Sequence, residues 1–148
     1  MNISAMIDAV WPYTAMFVSA FVSATLLPFA SETVLVAELR NGLGSTAALV
    51  TTATVGNVAG STVNWWMGCS LQRFEGRRWF PFKPGDIQRA TERFRGRGAW
   101  ILLLSWLPVI GDPLTLVAGV LRVPLATFVT LVTIGKAARY IVIAWLAT

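Results

Sequence analysis

Four ionisable residues of this chain are expected at membrane depth: Glu32, Asp112, Lys136 and Arg139. At bilayer depth each would cost about 2.5–3.5 kcal/mol on insertion scales, and the four unpaired would cost roughly 10–14 kcal/mol by addition. Two are acids and two are bases, so mutual pairing removes much of that cost. Lys136 and Arg139 stand three apart and share a helix face. The pattern L-P-x-x-x-[E/D] occurs twice, as Leu27-Pro28 with Glu32 and as Leu107-Pro108 with Asp112, at an offset of 80. A pseudo-two-fold axis relating the copies would bring Glu32 and Asp112 together. Two close carboxylates can share, hold and release a proton. Asn57 lies at the repeat position of Lys136 and joins the four as a candidate site residue. The chemistry these residues suit is the handling of protons or anions inside a membrane.

Other chemistry is excluded by composition. The chain has no histidine, which removes histidine acid–base catalysis and histidine-ligated metals. The single Cys69 allows neither an internal disulfide nor a metal site, and no cofactor is implied. Serines and threonines are plentiful, but none has a base nearby to make a nucleophile, so an enzyme is not expected.

The elements that must position the charges follow from hydropathy. Of 148 residues, 55% are hydrophobic and only 13% charged, against about 25% charged in an average soluble domain. Mean hydropathy is +0.64. These values predict a single all-α membrane domain. Four apolar stretches run over about 9–39, 45–71, 99–121 and 125–147. Crossing a bilayer takes about 20 apolar residues, which the second and fourth stretches supply as single helices. Pro28 and Glu32 interrupt the first stretch, and Pro108, Asp112 and Pro113 interrupt the third. Those two are expected to be pairs of half-helices, with the three prolines at the breaks.

A second repeated block sets the layout. Residues 50–57 match 129–136 at an offset of 79, with four of eight positions identical. The chain then divides into repeat 1 (about 9–71), a loop (72–98) and repeat 2 (about 99–148). With a re-entrant hairpin and one spanning helix in each repeat, each copy crosses once and the second is inverted. Irregular backbone at membrane depth survives where it is buried in protein or lines a wet cavity. Inverted repeats of broken helices are a plan of secondary transporters, with the site where the breaks meet. Four plain spans with both termini inside is the alternative.

The net charge of +5 is concentrated in the loop. Eight basic residues and three acids lie between Gln72 and Gly98, which places the loop in the cytoplasm and the N-terminus outside. The first basic residue is Arg40, so a secretory signal peptide is not expected. Asp86 is positioned to cap a short amphipathic helix carrying Ile87, Ala90, Thr91 and Phe94, with Trp79, Phe80 and Phe82 as interfacial anchors. The loop is too short and too closely tied to apolar spans for nucleic acid. Glu38 and Arg40 are expected near the outer interface as anchors or a local pair. Gly56-x-x-x-Gly60, followed by Asn64, suits close packing against the hairpins, with asparagine bonding across. Ala118-Gly119 suits the same in the second hairpin.

The segment 102–112 (LLLSWLPVIGD), followed by Leu116-Val117-Ala118-Gly119, resembles the second-hairpin signature of the DedA family, also described as SNARE-associated or VTT-domain proteins. Segments 23–28 with Ser31-Glu32, 54–57 and 135–140 add to the likeness, which spans about 15–145 and is strongest for the short YqaA-like branch. The resemblance implies a bacterial inner-membrane protein with two re-entrant hairpins in an inverted repeat and a part in membrane homeostasis. Family members include proposed translocators of polyprenyl phosphate carriers and eukaryotic phospholipid scramblases. Proton coupling through embedded acids has been proposed for them, and the hairpin acid carries over to Glu32. Longer members carry arginines three residues before and after the second-hairpin proline. Here those positions are Ser105 and Gly111, which leaves Lys136 and Arg139 as the cations available for a lipid headgroup.

The function expected is therefore that of a small transporter or lipid translocase acting on membrane lipids, with protons as a coupling ion. At this size a homodimer is one assembly open to it. The other reading is a structural or accessory membrane protein whose charges are fixed struts.

Overall fold

The computed structural model describes residues 3–25, 29–74, 76–78, 85, 88–89, 91–92, 94, 98–108 and 110–148. The expected break at Pro28, the aromatic anchors Trp79, Phe80 and Phe82, and Asp86, Ile87 and Ala90 of the loop helix lie outside the described residues. Gln88, Arg89, Thr91, Glu92 and Phe94 are helical.

The described residues form helices and turns without a strand. The order is α1 (Ile3–Thr25), α2 (Ala30–Arg40), α3 (Thr46–Leu71), a 3₁₀ turn (Gln72–Phe74), a 3₁₀ helix (Gly98–Trp106), α4 (Gly111–Val120) and α5 (Leu125–Ala147). Two of these, α1 and α5 with 23 residues each, are both long and apolar enough to cross a bilayer. α3 has 26 residues, ample in length, but its threonines, glycines and asparagines dilute its hydropathy. α2 and α4 have 11 and 10 residues. At about 1.5 Å per residue each covers only about half of a ~30 Å hydrocarbon core.

The first apolar stretch differs from the expected pair of half-helices: it is one long helix followed by one short one. Nothing in the sequence stops α1 before Thr25, because the apolar run reaches back to Ile3 with Asp8 as its sole charge. Pro12 lies inside α1, and such prolines are tolerated in apolar helices whose freed carbonyls are satisfied locally. The third stretch is two short elements. Its break runs between Trp106 and Gly111 and contains Pro108. Pro113 falls instead in the first turn of α4, where a missing N–H forfeits no helical bond.

α2 and α4 end in the same cap. Gly42 N–H donates to the Leu39 carbonyl and Leu43 N–H to the Glu38 carbonyl; Arg122 N–H donates to Gly119 and Val123 N–H to Ala118. Both sets are Schellman motifs, and each places one residue in the left-handed region, Gly42 at φ 67° and Arg122 at φ 49°. The two caps are 80 residues apart, the offset of the Leu-Pro repeat.

Packing divides the chain into two compact units, one of Met1–Gly60 with Lys136–Thr148, the other of Ser61–Gly135. The first is built around Met16, Ala20, Leu35, Leu49, Ala53 and Tyr140. Gly56 and Gly60 bring α3 against α1, since a Cβ on either would stand 2.6 Å from the Phe17 or Phe21 carbonyl oxygen. In the second unit α3 and α4 meet backbone to backbone. A Cβ on Gly68 would collide with the Leu116 carbonyl, and one on Gly119 with the Trp65 carbonyl. Side-chain donors of α3 finish that contact: Trp65 Nε1 donates to the Val123 carbonyl at 3.1 Å and Gln72 Nε2 to the Val120 carbonyl at 2.6 Å.

Candidate functional site

The polar residues of the first unit converge on the start of α2. Ser31 and Glu32 occupy its first turn, where the helix dipole favours an acid. Lys136, Arg139 and Tyr140 are three and four apart on α5 and so project from one face. Asn57 comes from α3, one residue after Gly56, whose lack of a side chain lets α3 approach α1.

Arg139 Nη2 donates to Glu32 Oε1 in an ion pair. Their side chains are 10% and 28% exposed. Lys136 is buried at 2% exposure and donates from Nζ to Asn57 Oδ1. Asn57 Nδ2 donates to the Tyr140 hydroxyl at 2.8 Å. Tyr140 donates to Ser31 Oγ at 2.9 Å, and Ser31 to Ser23 Oγ of α1 at 3.2 Å. Adjacent residues of α5, Arg139 and Tyr140, thus hold adjacent residues of α2, Glu32 and Ser31. The chain of donors runs in one direction, from the ammonium to Ser23. Chemically, the cluster offers two cations, one carboxylate and a set of hydroxyls, largely buried and anchored to the first turn of a short helix.

Of the site residues expected from sequence, Glu32, Asn57, Lys136 and Arg139 meet in this unit. Asp112 belongs to the second unit, in the first turn of α4, where Thr115 Oγ1 donates to its carbonyl at 2.7 Å. Asn64 Nδ2 reaches the same Thr115 hydroxyl at 3.4 Å.

The VTT domain matches residues 11–147 of the chain. The chain belongs to the VTT-domain family. It is 41% identical over 132 residues, 88% of this chain and 87% of theirs, to the inner membrane protein YqaA of Escherichia coli and to that of Shigella flexneri. An uncharacterised protein of Haemophilus influenzae is 39% identical over 143 residues, covering 90% of this chain and 85% of that one. No solved structure matches it. This VTT-domain chain is an inner-membrane protein of the DedA family, a family of membrane proteins. α1 and α5 carry exposed apolar side chains, among them Trp11, Val18, Ile141 and Trp145, which suit a lipid surrounding.

Sequence reasoning missed three members of the VTT-domain chain's cluster: Tyr140, Ser31 and Ser23. Tyr140 carried a signal, since it is one turn beyond Lys136 on the same face. Ser31 adjoins the acid singled out. Ser23 carried none, because its position opposite α2 depends on how α1 and α2 pack. Glu38 differs from expectation: it is buried at 6% exposure, and it does not pair with Arg40, whose side chain is exposed.

Proposed function

We propose that this VTT-domain protein is a small lipid translocase or transporter that handles an anionic lipid headgroup, such as a phospholipid or a polyprenyl phosphate, with proton coupling. The observation that carries the reading is the cluster itself. A lysine and an arginine are held within a membrane protein at the first turn of a half-length helix, with a carboxylate as the counter-ion of the arginine. Intramembrane charges are expensive and are functional by default. A guanidinium paired with a carboxylate is also suited to a phosphate, which it grips in the same forked geometry. Protonation of Glu32 would free Arg139 for the headgroup, and deprotonation would return it to the acid. Asp112, the repeat counterpart of Glu32, is the second acid of the proposal.

The proposed architecture is an inverted repeat of re-entrant hairpin plus spanning helix. Two features support it. The half-length α2 and α4 end in the same cap at the offset of the repeat. Asn57 and Lys136, repeat equivalents 79 residues apart, bond to each other. Equivalent residues touch in this way when they lie beside the axis that relates the copies.

A second reading, charges as fixed struts, is favoured by one observation: Arg139 is already neutralised by Glu32. Reconstitution into liposomes with labelled phospholipid or polyprenyl phosphate tests the first. Translocation above protein-free vesicles is expected, with loss in Glu32→Gln and Asp112→Asn. Folded variants that translocate as fast as the parent would contradict it.

A further inference from the structure

The buried face of α2 carries Ser31, Leu35 and Glu38, at helical spacing. Ser31 is bonded on both sides and Leu35 is packed in the core, but Glu38 Oε2 is buried without a hydrogen-bond partner. The charged and titratable groups of the helices in this unit do not answer it. On α2, Glu32 is committed to Arg139 and Arg40 points to the exterior. On α1, Asp8 is exposed and the Tyr13 hydroxyl accepts from Ser45 N–H at 3.3 Å. From 46 to 60, α3 has no ionisable residue. On α5, Lys136 is bonded to Asn57, Arg139 to Glu32 and Tyr140 to Ser31. A charged carboxylate with one oxygen buried away from any donor carries a desolvation penalty that the neutral carboxyl largely escapes.

Packing does not require an acid at this position. The residue 80 positions on is Ala118, which is fully buried, and the cap that follows it has the same hydrogen bonds.

We infer that Glu38 is a proton-binding site of this protein: α2 carries one acid held as an ion by Arg139 and, six residues on, a second held as the neutral carboxyl. Glu38 then holds a proton at rest, whereas Glu32 on the same helix is an ion until a proton displaces Arg139. The inference rests on the environment of Glu38 and stands apart from the translocase reading.

A hydrophobic carbodiimide tests it, because the reagent adds to a protonated carboxyl: the acid's oxygen bonds to the carbodiimide carbon and its proton passes to nitrogen. The full chain in phospholipid vesicles, treated near neutral pH and analysed by peptide mass spectrometry, is expected to carry the adduct at Glu38 and not at Glu32. The infrared band of a protonated carboxyl is expected in the parent and in Glu38→Asp, and lost in Glu38→Gln. The band surviving Glu38→Gln, or Glu32 taking the label in place of Glu38, would overturn the inference. Both readouts are independent of transport.

Discussion

The two units begin from the same short motif and close in different ways. In the first, a Leu-Pro-x-x-x-acid sequence leads to a buried network in which Glu32, Arg139, Lys136, Asn57, Tyr140 and Ser31 satisfy one another. In the second, the equivalent helix is fastened by glycines and backbone carbonyls, with Gly68, Gly119 and the donors Trp65, Cys69 and Gln72. The acid's neighbours explain the divergence. Ser31 has a side chain that can join a network, whereas its counterpart Gly111 sits so close to the Ser105 carbonyl that no Cβ fits. The lesson is that two short helices with matching C-terminal caps can be held differently, α2 by side-chain hydrogen bonds at its first turn and α4 by close backbone packing.

Substitutions sharpen this contrast. The largest effect is expected in the second unit. Gly119→Val or Gly68→Val would drive a side chain into backbone, beyond the ~1–3 kcal/mol of ordinary overpacking, and thermal unfolding in detergent should find little folded protein. Next comes the first unit's ion pair. Arg139→Gln strands Glu32 and should destabilise by about 3 kcal/mol, the scale of a broken buried pair. Adding Glu32→Gln should restore most of that loss, which chemical denaturation of the three variants would read. Tyr140→Phe removes a hydroxyl bonded on both sides and should cost about 1–3 kcal/mol; an unchanged melting temperature would mean the network is not formed. The smallest effect is a gain. Arg122 holds a left-handed cap position of the kind that Gly42 fills at the end of α2, so Arg122→Gly should stabilise by up to about 1 kcal/mol.

Much of this was legible in the sequence, and unevenly. Glu32, Asn57, Lys136 and Arg139 come together within the first unit, because the cost of bare charge in an apolar stretch leaves few arrangements open to them. The third apolar stretch breaks where Pro108 predicts. The first does not halve, since its apolar run reaches back to Ile3 and α1 is helical as far as Thr25. The serine and tyrosine links were hidden because hydroxyls are common in membrane helices and only tertiary contact selects among them. Glu38 was misplaced for a related reason: its nearness to Arg40 in sequence suggested a pair, but the helix turns the two residues to different faces.

The most direct test compares headgroup translocation by the parent, Glu32→Gln, Arg139→Gln and the double variant in vesicles of one lipid composition. The account predicts loss of translocation in all three, including the double variant whose stability recovers. Translocation that returns with stability in the double variant would contradict it and leave the pair a strut.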